Sequence, residues 1–325
     1  MINKEISLVI GSIYEDLKYL KKLMENLNSN INFLSEIICV ISGVDSYQKG
    51  LKINELKVIL DIDINIISYE RIIMPGEARN IGIRKSKCEY ICFLDAYPIP
   101  NKNWIYNSIK ILEEKNLKGV LGRVKFEPTN EFEDCFISST NGNRPLFSVP
   151  GTLIERNLLN EIGYFVPYRR SGEDVEWRNR SKLIYPNLFQ DKVLPCRYAG
   201  LKGKNFIELC KKWYNYKIYE TINPTFYNQR VLYFSFIIIF SLLLAFSWND
   251  KVANWDQNSF FYVPHISKIM VSLIILIYFI YRMIILPLKK KVKIFNFNLI
   301  KFIKLIFISM IIDLIKLIAF INHKS

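Results

Sequence analysis

The segment Tyr90-Ile91-Cys92-Phe93-Leu94-Asp95-Ala96-Tyr97-Pro98 decides the fold. Five apolar residues run unbroken and stop at a carboxylate. An uninterrupted apolar run of that length suits a strand buried on both faces, as in a parallel sheet. Upstream, residues 6–10 form a similar run ending at Gly11-Ser12, and residues 36–41 another ending at Ser42-Gly43. Residues 62–69 are a third, weaker one. Between them lie helical patterns. Leu17, Leu20, Met24 and Leu27 recur at spacings of three and four, residues 78–86 read as a helix, and Trp104, Ile105, Ile109 and Leu112 mark a further one. Residues 119–126 read as another strand. Alternation of this kind predicts an α/β domain, a mostly parallel sheet with helices on both faces. Ligands of such sheets bind at the carboxyl ends of the strands, where Asp95 and Ser42-Gly43 sit.

The chain has 325 residues, enough for one substantial domain and an appendage. Half of them are hydrophobic and 23% are charged, and the apolar excess gathers after Val231. A formal net charge of +14 calls for an acidic partner: nucleic acid, anionic lipid or a nucleotide diphosphate. Because much of the basic charge borders the apolar runs, membrane lipid is the expected partner and nucleic acid is not. The six cysteines include no C-x-x-C pair and only His265 and His323 offer imidazole, so zinc is not expected and reduced, buried thiols are. The apolar run at residues 6–10 is too short for a signal peptide.

Residues 202–230 are rich in Lys, Trp and Tyr, as at a membrane interface or on a solvated basic helix. Residues 231–247 and 269–288 approach the ~20 apolar residues a spanning helix needs. The second run is followed by Lys289-Lys290-Lys291-Val292-Lys293, which the positive-inside rule assigns to the cytosol. Two spans return the chain to its starting side, so the N-terminal domain is expected there too. Residues 299–321 are apolar but carry Lys301, Lys304, Asp313 and Lys316 within about half the helix circumference. They read as an interfacial helix or a third span. The expected organisation is a catalytic domain over 1–215, a juxtamembrane linker over 216–230 and a membrane anchor over 231–325.

Four stretches can carry chemistry. In Pro75-Gly76-Glu77-Ala78-Arg79-Asn80-Ile81-Gly82 a turn opens a helix whose amides and arginine can face an anion, or the turn is purely structural. Asp95 can hold a divalent cation, contact a nucleotide or cap the turn after its strand. Gly151, in Val149-Pro150-Gly151-Thr152, can admit a substrate to the backbone or simply serve a turn. In Gly172-Glu173-Asp174-Val175-Glu176-Trp177-Arg178-Asn179-Arg180 three carboxylates crowd a helix start, as caps or as a general base.

In this order, the stretches resemble family 2 glycosyltransferases of the GT-A fold over about residues 6–216. The elements are Ala78-Arg79-Asn80-Ile81-Gly82, Phe93-Leu94-Asp95, Gly151, and Glu173-Asp174 with Trp177 and Arg180. The resemblance implies an inverting transfer of a sugar from a nucleotide-diphosphate donor to a lipid-linked or glycan acceptor. The setting it implies is the cytoplasmic face of the cell membrane, in surface polysaccharide or glycolipid assembly by a multi-pass protein. Asp174 would be the base and Glu173 its support. Asp95, Arg79 and Gly151 would bind the donor. Trp177, Arg180, Arg197, Lys202 and Lys204 would meet the acceptor or the diphosphate. Mg²⁺ or Mn²⁺ would rest on Asp95, although Tyr97 stands where the family's Asp-x-Asp has its second carboxylate. The alternatives are a degenerate scaffold and a processive synthase. The synthases' Gln-x-x-Arg-Trp motif is absent after Asp174.

Overall fold

A computed structural model describes residues 5–201, 205–221, 247–251 and 253–322. The chain divides into two compact units, Met1–Asp134 with Asn143–Lys204, and Cys135–Gly142 with Asn205–Ser325.

The first unit is built on four parallel strands, β1 (Ile6–Ile13), β2 (Glu36–Ser42), β3 (Ile64–Tyr69) and β4 (Tyr90–Asp95). Two short strands complete the sheet beside β4: β5 (Gly119–Val120) and β8 (Leu153–Glu155), which runs antiparallel to both β4 and β5. The spatial order is β3-β2-β1-β4-β8-β5. The expected mixed α/β architecture with a mostly parallel sheet is therefore present. Alternate residues fill opposite faces. Leu8, Ile10, Cys39, Cys92 and Leu94 pack with Leu20, Leu23 and Met24 of α1 (Leu17–Asn26) and with Trp104 and Ile109 of α4 (Trp104–Lys115). Val9, Ile91 and Phe93 face the other way, toward Ile83 of α3 (Pro75–Lys85) and Leu158 of α6 (Arg156–Ile162). Both faces being apolar is why these strands read as unbroken runs rather than alternations.

The single strand expected over 119–126 is two strands in different sheets. After β5 the chain turns at Leu121-Gly122 into β6 (Arg123–Glu127), which pairs with β7 (Leu146–Phe147) and β9 (Cys196–Ala199) in a three-stranded sheet. Gly122 makes the corner: a Cβ there would overlap the backbone of Pro150 and Gly151. Two helices not expected from the sequence, α2 (Tyr47–Asn54) and α5 (Glu131–Ser139), complete the connections along with α7 (Glu173–Ile184).

In the second unit, α8 (Phe206–Thr221) runs straight through residues 215 and 216, where the sequence suggested a boundary. An apolar helix covers Ile266–Ile280 and continues through Tyr281–Ile285 and Leu286–Lys289. Its Ser272–Lys289 window, with mean hydropathy 1.9 and only 17% buried, is long and apolar enough to cross a membrane. A terminal helix, Leu299–Asn322, packs on α8. The first expected span, 231–247, lies outside the described residues except Ser247, and so do Lys202 and Lys204.

Candidate active site

Three distant elements bring their charged ends together in the first unit. Strand β4 ends on Asp95, α3 contributes Arg79 from its second turn, and α7 begins with Glu173 and Asp174. The Arg79 guanidinium lies between two of the carboxylates, 2.9 Å from Asp95 Oδ1 and 2.8 Å from Glu173 Oε1. It thus ties the sheet edge to the start of α7.

Each motif residue of α3 has a packing reason to be there. Pro75 occupies the first turn, where its missing N–H costs nothing. Gly82 lets α3 lie against β1, since a Cβ at that position would overlap Val9. Asn80 holds the loop before α7 with both ends of its amide: Nδ2 donates to Phe165 O at 2.7 Å, and Oδ1 accepts from Phe165 N at 3.0 Å. With Asn80 fixing that loop and Gly82 fixing the helix, Arg79 points at the carboxylates.

The electrostatics of the two acids at the start of α7 differ. Glu173 is buried and Asp174 is partly exposed. Burial pushes the Glu173 carboxyl above its usual range; Arg79 opposes the shift and the Asp174 charge adds to it. Burial alone would favour loss of the Arg79 proton, but Asp95, Glu173 and Asp174 outweigh it and hold the guanidinium charged. The Asp174 carboxylate makes no hydrogen bond or ion pair with the described residues. A partly exposed carboxylate without a hydrogen bond, next to a buried and ion-paired one, is an arrangement that can serve a general base and a supporting partner.

Residues 7–175 match glycosyl transferase family 2. The chain belongs to this family. The fold resembles S. aureus TarS 1–349, solved in complex with UDP-GlcNAc, at 18% identity and TM-score 0.45, over 67% of this chain and 66% of that one. It also resembles the mannosyltransferase PcManGT from Pyrobaculum calidifontis, solved in complex with GDP-Man and Mn²⁺, at 14% identity and TM-score 0.49, over 94% and 86% of the two chains. The chain thus spans just under two thirds of TarS 1–349. No curated protein matches it significantly.

The remaining residues expected to serve glycosyl transfer are placed apart from the cluster or are committed to packing. Trp177, expected to meet the acceptor or the diphosphate, is seated in the packing of α7. It is fully buried, stacks on Phe165 with ring centroids 4.9 Å apart, and donates from Nε1 to Gly163 O at 3.0 Å. With no exposed surface, the indole is the peg that seats α7 one turn after Glu173. Arg180 is likewise spent on structure. It forks onto Glu176 at 2.6 and 2.9 Å and caps the end of α6 through Ile162 O at 2.5 Å and Tyr164 O at 2.7 Å. Gly151 takes a backbone φ of +88° that favours glycine, and its carbonyl accepts from Trp104 Nε1 at 2.8 Å. Arg197 is exposed on β9, with its backbone paired to Ile99 and its side chain without a partner among the described residues.

For a metal, the donor set is thin. One oxygen of Asp95 is held by Arg79. Tyr97 donates its hydroxyl to Ala199 O at 2.7 Å and packs edge-on against Tyr19, so it is turned to a structural use. Among the described residues no group of three or more His, Cys, Asp or Glu is close enough to hold an ion. The second Asp95 oxygen is left for a cation. That still suits Mg²⁺, which is commonly held by one or two carboxylates plus substrate phosphates and waters.

Proposed function

We propose that the protein transfers a sugar, with inversion, from a nucleotide-diphosphate donor to a hydroxyl of a lipid-linked or glycan acceptor at a membrane surface. The observation that supports this reading is the Arg79 bridge, which ties the carboxylate at the end of β4 to Glu173, the chain neighbour of Asp174. Asp174 takes the proton of the acceptor hydroxyl as its oxygen bonds to the anomeric carbon, and the nucleoside diphosphate leaves from the opposite face. Glu173 and Arg79 fix the start of α7 so that Asp174 meets the acceptor at one orientation. Arg197, with Lys202 and Lys204, draws the anionic donor or a phosphate-bearing acceptor. Single-face attack inverts the anomeric centre, and the product's anomeric proton coupling measured by NMR reads the outcome. A product that keeps the donor's configuration would rule out the single-displacement scheme.

Three carboxylates against one guanidinium leave the cluster negative, which is hostile to a diphosphate. A divalent cation on Asp95 would supply the missing charge neutralisation for the leaving group. Excess chelator is expected to stop turnover, and Asp95→Ala to lose donor binding. Full activity in chelator would show that arginine and lysine side chains neutralise the diphosphate alone.

We also propose that the catalytic unit faces the cytosol, with the chain crossing the membrane through 231–247 and the helix around Ser272–Lys289. The Lys289-Lys290-Lys291 cluster supports this orientation. A topology reporter fused within residues 248–268 is expected to report the outer side, and one at residues 289–293 the cytosol. A cytosolic signal from the first fusion would overturn the two-span topology.

A further inference from the structure

We infer that the terminal helix, Leu299–Asn322, lies flat in the membrane interface, with one charge-free face in the lipid, and does not cross the bilayer. This rests on the proposal that the chain is membrane-bound.

The first observation is the division of the helix surface. Ile300, Ile303, Phe307, Met310, Leu314 and Leu317 are all exposed. At 100° per residue they fall within about a third of the circumference, and no charged residue shares that sector. The opposite side is packed, with Leu305, Ile308, Ile312 and Ala319 buried. Lys301, Lys304, Asp313 and Lys316 lie outside the apolar sector. Asp313 pairs with Arg282 at 2.6 Å and with Lys316 at 2.7 Å, and accepts from Tyr278 at 2.9 Å. A surface of exposed Ile, Leu, Phe and Met along a helix of about 36 Å is unsuited to water. It is continuous in chemistry with the exposed apolar side chains of Ser272–Lys289, so lipid is the occupant.

The second observation sets the tilt. Within the second unit the segment Cys135–Gly142 touches this helix near its start and, through Arg282, past its middle. Cys135 Sγ is 3.7 Å from Lys301 O. Ser139 O accepts from Arg282 at 3.1 Å, and Arg282 holds Asp313. Near its end, Asn322 donates to Tyr214 at 2.9 Å; the neighbouring residue, Trp213, packs edge-on against Phe136. Residues 301 and 313 are about 18 Å apart along the axis, yet both are tied to a single helical turn of the same segment. That segment is eight residues long and its chain is joined at both ends to the first unit, so it cannot pass deep into a ~30 Å hydrocarbon core. A helix held at its start, middle and end beside such a segment runs along the surface.

The test is depth, read by spin labels in the full chain reconstituted into phosphatidylcholine and phosphatidylglycerol vesicles. Cys210, the one native cysteine that is not buried, is first replaced by Ser. Single labels at Ile303→Cys, Met310→Cys and Leu317→Cys are then compared for collisions with oxygen and with a water-soluble nickel chelate. Labels at Leu276→Cys and Ile280→Cys report whether the protein is inserted. The expected result is the same shallow depth at all three terminal-helix sites, about 5–10 Å below the headgroup boundary. A depth changing by about 10 Å from each site to the next would mean that the helix spans the bilayer, and would overturn the inference. So would three labels shielded from both reagents and dipolar-coupled between molecules, which would make a second copy the occupant. Water-accessible labels at 276 and 280 would refute the membrane reading itself, a different failure.

Discussion

Replacing Asp174 with Asn is expected to lower turnover by about 10²–10⁴-fold and to leave donor affinity close to that of the wild type. The substitution keeps size and shape while removing the basic oxygen. Donor affinity is expected to be spared because Asp95, the proposed donor contact, keeps its bond to Arg79, and Arg79 keeps Glu173. Glu173→Gln acts differently. Glu173 is buried and serves as a partner of Arg79, so the variant loosens the start of α7 and its effect falls on acceptor KM more than on the chemical step. If Asp174 were only a helix cap, Asn would replace it almost silently, since Asn caps as well as Asp. Kinetics of the folded variant, with donor binding measured separately, decide between the two.

Removing Arg79 is expected to be the most destabilising single change in the first unit's charged cluster. Arg79→Ala leaves Glu173 buried without its counter-charge, and breaking one side of a buried ion pair costs about 3–5 kcal/mol. The loss depends on pH with a definite sign. In the variant the two influences that raise the Glu173 pKa, burial and Asp174, remain, while the Arg79 charge and hydrogen bond that lower it are gone. The folded variant then holds a proton that the unfolded chain has released. Its stability therefore falls as pH rises from the ordinary carboxylate range toward neutrality. Denaturation midpoints are expected to differ from wild type less at about pH 5 than at about pH 8. Arg79→Lys keeps a charge but cannot fork between two carboxylates, and is expected to lie between. An Arg79→Ala protein as stable as wild type at both pH values would show that the bridge carries little energy.

Much of the first unit was legible in the sequence because its strands are buried on both faces and its helices are amphipathic. Runs such as that ending at Asp95 leave no polar alternation to misread. The two-residue strands β5 and β7 and the three-residue β8 are too short to show any period. The 119–126 stretch looked continuous because nothing local reveals that Gly122 turns against a backbone some 30 residues further on. Asp95, Arg79, Glu173 and Asp174 are each visible as candidates, but the Arg79 bridge from Asp95 to Glu173 is not, since Arg79 and Glu173 are 94 residues apart. The resemblance implies ligand contacts at Trp177 and Arg180, and helix geometry explains why Trp177 is packed: it follows Glu173 by four and shares its buried side, while Asp174 is turned about 100° away. Asn80 stands in its motif without an assigned role because its partner, the backbone of Phe165, has no mark in the sequence.

The most direct test of the account is nucleotide release by the purified full chain. Wild type and Asp174→Asn are offered a panel of nucleotide sugars together with a membrane lipid extract as acceptor. The account predicts that wild type consumes a donor and releases its nucleoside diphosphate in step with a new glycosylated product, and that the variant forms that product at least about 10²-fold more slowly. Equal rates of product formation by the two proteins would contradict it.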